Sequence, residues 1–194
     1  KVHTVIHANE GIPSDIKFTS AATNDSFMLR PGRLSKGDIV AMDRAYINYE
    51  KFEELTQRGV IYVTKMKKSL RYEVLEDVMY QTPEGYMEVR IQYVEFTKLL
   101  KDGQSITHKA RLITYADVQK RRIITLLTND MEFDPTEIIA IYRQRWEIEL
   151  LFKQLKQNFP LKYFYGESAN AIKIQIWVTL IANLLLMVMK SGLT

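Results

Sequence analysis

An α/β (α+β) fold is what this chain predicts, and three observations carry that expectation. Ile39–Met42, 49–58 and 60–64 read as strand, helix and strand within about 26 residues, the span of a right-handed parallel unit. Residues 69–130 hold several stretches rich in β-branched and aromatic side chains, separated by turn residues. Beyond 130 the pattern becomes helical, with a strong start signal at Asp134.

In chain order, 2–8 and 16–19 read as strands joined by a turn at 9–13, an antiparallel pair. A polar stretch follows, with a short helix around 25–30 closed by Pro31 and Gly32. Ile39–Met42 is a compact apolar run with the pattern of a fully buried central strand. Asp43, at its end, stands where loops and ligands meet. In the helix 49–58, Phe52 and Leu55 face inward and Gly59 is the stop signal. Another buried strand follows at 60–64. Further strands are expected at 72–74, 86–96, 109–114 and 122–128, with turns at 81–85 and 101–104. In 86–94, Met87, Val89, Ile91 and Tyr93 alternate with Glu88, Arg90 and Gln92, so one face meets solvent or a partner.

Asp134-Pro135-Thr136-Glu137 combines an N-cap, a first-turn proline and the glutamate of a capping box. The helix it opens is expected to run over 135–158 and to end at Phe159-Pro160. A last helix, 168–189, is apolar nearly all round, which is how a buried helix reads. Lys173, Gln175 and Asn183 keep its apolar runs short of the roughly 18 to 20 residues a membrane span needs, so it is assigned to the core.

Composition sets outer bounds. With 194 residues, 46% of them hydrophobic, the chain can bury one substantial core. Lys and Arg number 27 against 23 Asp and Glu, a net charge of +4, compatible with a polyanion yet too mild to establish one. Basic residues cluster at Lys65, Lys67, Lys68 and Arg71, and again at Lys120, Arg121 and Arg122, where solvated turns are the commoner explanation. The lack of cysteine excludes disulfides, thiolate zinc sites and cysteine nucleophiles, and fits a reducing cytosol. No phosphate-binding glycine loop supports ATP use. His3 and His7 lie four apart on a predicted strand, which lacks the one-face geometry of helical zinc ligands.

The most informative pattern is Y-x2-R-x3-E-x6-K, set by Tyr142, Arg145, Glu149 and Lys156. On one continuous helix at about 100° per residue these four side chains fall within about 60° of one another. Ile141, Ile148, Leu151 and Leu155 occupy the buried side. An exposed ion-pair array is the ordinary reading of such charges. The spacing of all four residues favours a functional face instead. Trp146 lies about 100° off that face and reads as core, with a flanking DNA contact as the less common alternative.

This stretch resembles the signature of bacterial insertion-sequence transposases of the IS-four type, a branch of the DDE superfamily. GDIVAMDRAYINYEKFEEL resembles the same family's strand in which Asp is followed by Arg or Gly and then Tyr, and KVH with Gly11–Pro13 is a weaker match. The resemblance implies a ribonuclease-H-like fold with a β-rich insertion between the second and third acidic residues. It makes Asp43 the second metal-binding acid and Glu149 the third, with Tyr142, Arg145 and Lys156 contacting the DNA end. Lys65 and Lys67, after the strand 60–64, are further candidate DNA contacts.

Under this reading, 1–68 is the first part of the core, 69–130 the insertion and 131–194 the helices that complete the core. The implied cofactor is Mg2+ or Mn2+ in a two-metal site. The implied partner is double-stranded DNA, bound by a homodimer in the cytoplasm, with no membrane involved. The first acid of the family precedes KVH, and the chain starts at Lys1 without Met or signal peptide, so a fragment inactive alone is expected. The alternative is a non-catalytic DNA-binding or assembly remnant of a transposase.

Overall fold

The computed structural model describes residues 1–8, 10–20, 22–82, 87–100, 103–117, 121–159 and 163–191. The expected turns at 9–13, 81–85 and 101–104, Tyr86, Lys120 and Pro160 lie wholly or partly outside the described residues. The chain divides into two compact units, Asn24–Arg145 and Lys1–Thr23 together with Trp146–Thr194.

In the second of these units, β1 (Val2–His7) and β2 (Ile12–Phe18) form the expected antiparallel pair. β2 begins earlier than expected and includes Pro13, which sits opposite Ile6 where the register shifts. A two-stranded ribbon consists of edges, so the missing proline N–H is tolerated there.

The unit Asn24–Arg145 is built on a six-stranded mixed sheet. Its strands are β3 (Ile39–Met42), β4 (Ile61–Lys65), β5 (Glu73–Gln81), β6 (Glu88–Leu99), β7 (Ser105–Asp117) and β8 (Arg122–Thr128), in the order β3-β4-β8-β7-β6-β5. β3 and β4 pair in parallel across helix α1 (Tyr49–Gln57), as the strand–helix–strand reading expects, and the other pairings are antiparallel. The stretch 69–130 is continuous with the core sheet, because β8 pairs directly with β4.

Two apolar layers flank this sheet. Strand alternation sends Tyr62 of β4 to the layer of Phe52 and Leu55 from α1, and Val63 to the layer of Ile138 and Ile139 from helix α2 (Pro135–Gln144). Asp134 caps α2 by accepting from the Thr136 N–H at 2.8 Å, while Glu137 accepts from the Asp134 N–H at 3.1 Å, completing the expected capping box.

Four expectations are corrected. Ile39–Met42 is a strand, but it lies at the edge of the described sheet rather than its centre, and Ile39 is 42% exposed. A short apolar run has the same sequence signature in either position. β5 is far longer than 72–74; nearly all of it is exposed, so its Glu73, Glu76 and Asp77 resemble a loop in sequence.

The helix expected over 135–158 is two helices, α2 and α3 (Trp146–Asn158), separated at Arg145. The Arg145 N–H donates to the Tyr142 carbonyl at 3.2 Å, a tightened i→i−3 turn in place of the α-helical bond. Glu149 therefore sits in the first turn of α3 rather than mid-helix.

α4 (Ala169–Ser191) is mostly open rather than core. Leu180 is buried with Leu151 and Leu155 of α3, and Ile176, Ile6 and Ile16 pack beside them. Trp177, Val178, Ile181, Leu185 and Val188 remain exposed. Apolar positions that go all round a helix cannot be covered by one layer of neighbours. By length and composition alone, Ala169–Lys190 is also long and apolar enough to cross a membrane, which by itself is weak evidence for one.

Candidate functional site

Asp43 ends β3 and starts a 3-10 turn, Arg44–Tyr46, whose first free amide it caps. One carboxylate oxygen, Oδ1, accepts from the Ala45 N–H at 3.0 Å. The other, Oδ2, lies 4.0 Å from an Arg145 guanidinium nitrogen, and the Asp43 side chain is 51% exposed. Arg145 is far better covered, at 18%, and its guanidinium lies 5.4 Å from the centre of the Tyr142 ring. The tyrosine face thus orients the arginine toward the acid. Of the four-residue signature, Arg145 lies beside Asp43 and Tyr142 lies against Arg145.

Lys65 ends β4, and Met42 pairs with Thr64, so Asp43 and Lys65 leave adjacent parallel strands at the same end. Burial depresses the Lys65 ammonium, reinforced by Arg122 and Arg44, opposed by Asp43, and reinforced again by Arg145. Lys67 follows in the half-buried segment that continues along β8, where the Met66 N–H donates to the Thr125 carbonyl at 2.8 Å. Arg44 and Arg122, whose charges act on Lys65, were not among the candidates read from the sequence. Arg122 lay in a basic run that reads as a turn, although the alternation of β8 places it on the face of Ile124 and Leu126.

Glu149 and Lys156 belong to the other unit. Both are exposed on α3, where they line an open depression with Phe152, Lys153 and Gln157, opposite the buried Leu151 and Leu155. Ile141 and Ile148, expected on the buried side, are half-buried, and Trp146 is exposed rather than core. Asp43 and Glu149 offer hard carboxylate oxygens, the donor chemistry that suits a magnesium-type cation. Among the described residues no three His, Asp or Glu side chains gather into a metal-binding group.

Residues 1–185 match the family described as Transposase DDE domain. The chain belongs to that family, whose domain is ribonuclease-H-like, in keeping with the mixed α/β architecture. It is 27% identical over 186 residues to "Putative transposase y4zB" of Sinorhizobium fredii, covering 96% of this chain and 52% of that protein. It is likewise 27% identical over 189 residues to "Putative transposase for insertion sequence element IS4SA" of Synechocystis sp., covering 96% and 52%. Against the "Transposase for insertion sequence element IS231C" of Bacillus thuringiensis the identity is 24% over 194 residues, covering 77% and 41%. The chain spans about half the length of the curated relatives it matches.

Proposed function

We propose that this domain cuts DNA strands at insertion-sequence ends and transfers them to target DNA. The observation that carries the reading is the placement of Asp43 at a strand end with Arg145 beside it and Tyr142 against that arginine, within a Transposase DDE domain match covering most of the chain. A half-exposed carboxylate paired with a mostly covered arginine suits phosphodiester chemistry, in which the arginine fork holds a phosphate oxygen and the acid serves as a metal ligand. Asp43 and Glu149 would hold Mg2+ or Mn2+, which when bound activates a water or 3′-hydroxyl and stabilises the leaving oxygen. Tyr142, Arg145, Lys156, Lys65 and Lys67 would contact the DNA backbone and fix the strand in register. Double-stranded DNA is the substrate under this reading, bound by a homodimer that pairs two ends in the cytoplasm.

The decisive assay is metal-dependent cleavage by the intact protein of a plasmid carrying the gene with its flanking DNA. Asp43→Asn and Glu149→Gln are each expected to lower cleavage at least about a hundredfold, since even outer-shell partners of a metal site cost 10–100-fold. Full cleavage by both folded variants would defeat the proposal. The second reading is that this chain alone is a non-catalytic DNA-binding or assembly remnant of a transposase. Two acids alone should bind metal weakly. Calorimetry showing tight, stoichiometric Mg2+ binding to this chain would remove the remnant reading.

A further inference from the structure

One end of the sheet in the unit Asn24–Arg145 carries more positive charge than contacts to Asp43 alone would use. β8 runs antiparallel to β4 with Lys65 opposite Leu126, so the beginning of β8, at Arg122, comes to the end where β4 finishes. Alternation then fixes the face. Val63 of β4, with Ile124 and Leu126 of β8, packs into the layer of Ile138 and Ile139 from α2. Lys65 and Arg122 each lie two residues from a member of that layer, and so project to the same side of the sheet. Tyr115 of β7 belongs to this layer too, opposite Ile124, and burial raises its phenol while Arg143 near the end of α2 opposes the rise.

Five cations, Arg44, Lys65, Arg122, Arg143 and Arg145, therefore share this sheet end with two carboxylates, Asp43 and Asp117. Arg122 and Arg44 are exposed, and their charges reach Lys65. Five cations against two carboxylates leave an excess of positive charge at this end, and guanidinium forks match phosphate oxygens. β8 stands two strand spacings from β3, about 10 Å, which separates Arg122 from anything held at Asp43 itself.

We infer that Arg122, together with Arg44, holds a second phosphate of the DNA strand bound at Asp43, so that the backbone crosses the β4–β8 end of the sheet. This rests on the DNA-cutting reading and adds two residues and a direction to it. The strand passes from the acid over Lys65 toward Arg122, and the contacts are to the backbone, hence insensitive to base sequence.

Fluorescence anisotropy of the intact protein on a duplex oligonucleotide of arbitrary sequence, in EDTA and across 50–200 mM salt, tests it. Arg122→Ala and Arg44→Ala are each expected to flatten the log–log salt slope, together by about 0.9 for the one phosphate they share, and Arg122→Lys to retain it. Lys109→Ala, towards the other end of β7, is expected to leave the slope unchanged. A wild-type slope and affinity in folded Arg122→Ala would overturn the inference while leaving the DNA-cutting reading intact. Failure of the wild-type protein to bind the duplex at all would overturn both. If Arg122→Ala melts early, Arg122→Gln, which keeps an uncharged stem, decides by the same slope.

Discussion

Beneath α1 a phenol, an imidazole and a carboxylate form a chain, and it shows how single residues hold this fold. With Nδ1 protonated, His108 donates to Glu53 at 2.9 Å and accepts from the Tyr62 hydroxyl at 2.6 Å, while Phe52 stacks on Tyr62 with ring centres 4.0 Å apart. Tyr62 is fully buried, and burial pushes its phenol well above the ordinary range, so it stays a donor. Tyr62→Phe would leave a buried acceptor unpaired and is expected to cost about 1–3 kcal/mol of unfolding free energy, read by urea denaturation. Burial also lowers His108 below its usual 6.5, against the opposing pull of Glu53. The folded protein then binds this proton less readily than the unfolded chain. The neutral ring's contribution is fully present above about pH 6.5 and is lost as pH falls through that value toward the folded pKa. Urea midpoints at pH 7.5 and 5.5 should differ in that sense, and His108→Gln should shrink the difference; an unchanged difference would contradict the assignment. Asp43 and Lys65 were legible because each ends an apolar run. Arg122 was not, because its neighbours Lys120 and Arg121 make the same charge pattern as a solvated turn.

Elements were legible where local chemistry decides them and obscure where tertiary context does. α2 is local: cap, proline and capping-box glutamate all lie within four residues, and Tyr80 donates a hydrogen bond to Asp134 as well. Asp134→Ala is expected to destabilise by about 1 kcal/mol or more, measured by thermal or urea unfolding. The break at Arg145 could not be read, because Arg145 keeps right-handed helical backbone angles and no proline or glycine marks it. The edge position of β3 was hidden for a related reason: a four-residue apolar run does not state how many neighbours it has. α4 misled through composition, since an all-round apolar helix signals burial whether or not partners are at hand. Its two kinds of position can be separated by substitution. Leu180→Ala is expected to cost about 2–4 kcal/mol, whereas exposed Leu185→Gln and Val188→Gln should stay within about 0.5 kcal/mol of the parent. Losses of several kcal/mol at Leu185 and Val188 would show that the helix is core after all.

At the scale of the molecule, the mixed α/β class, the parallel β3–α1–β4 unit and the family were all readable. The class followed from hydrophobic period and the family from one spacing, Y-x2-R-x3-E-x6-K, supported by Asp43 at the end of its strand. The division into two compact units was not readable, because Lys1–Thr23 and Trp146–Thr194 are joined by packing across the chain's length, as Ile6, Ile16, Leu155 and Leu180 show. That division runs between the two acids, with Asp43 in one unit and Glu149 in the other. The central claim is that these two carboxylates serve one metal site. The measurement that tests it most directly is a crystal structure of the intact protein soaked with Mn2+. The account expects anomalous density near 2 Å from oxygens of both Asp43 and Glu149, with the carboxylates within roughly 8 Å of each other. Well-ordered carboxylates far beyond that separation, with no metal at either, would contradict it.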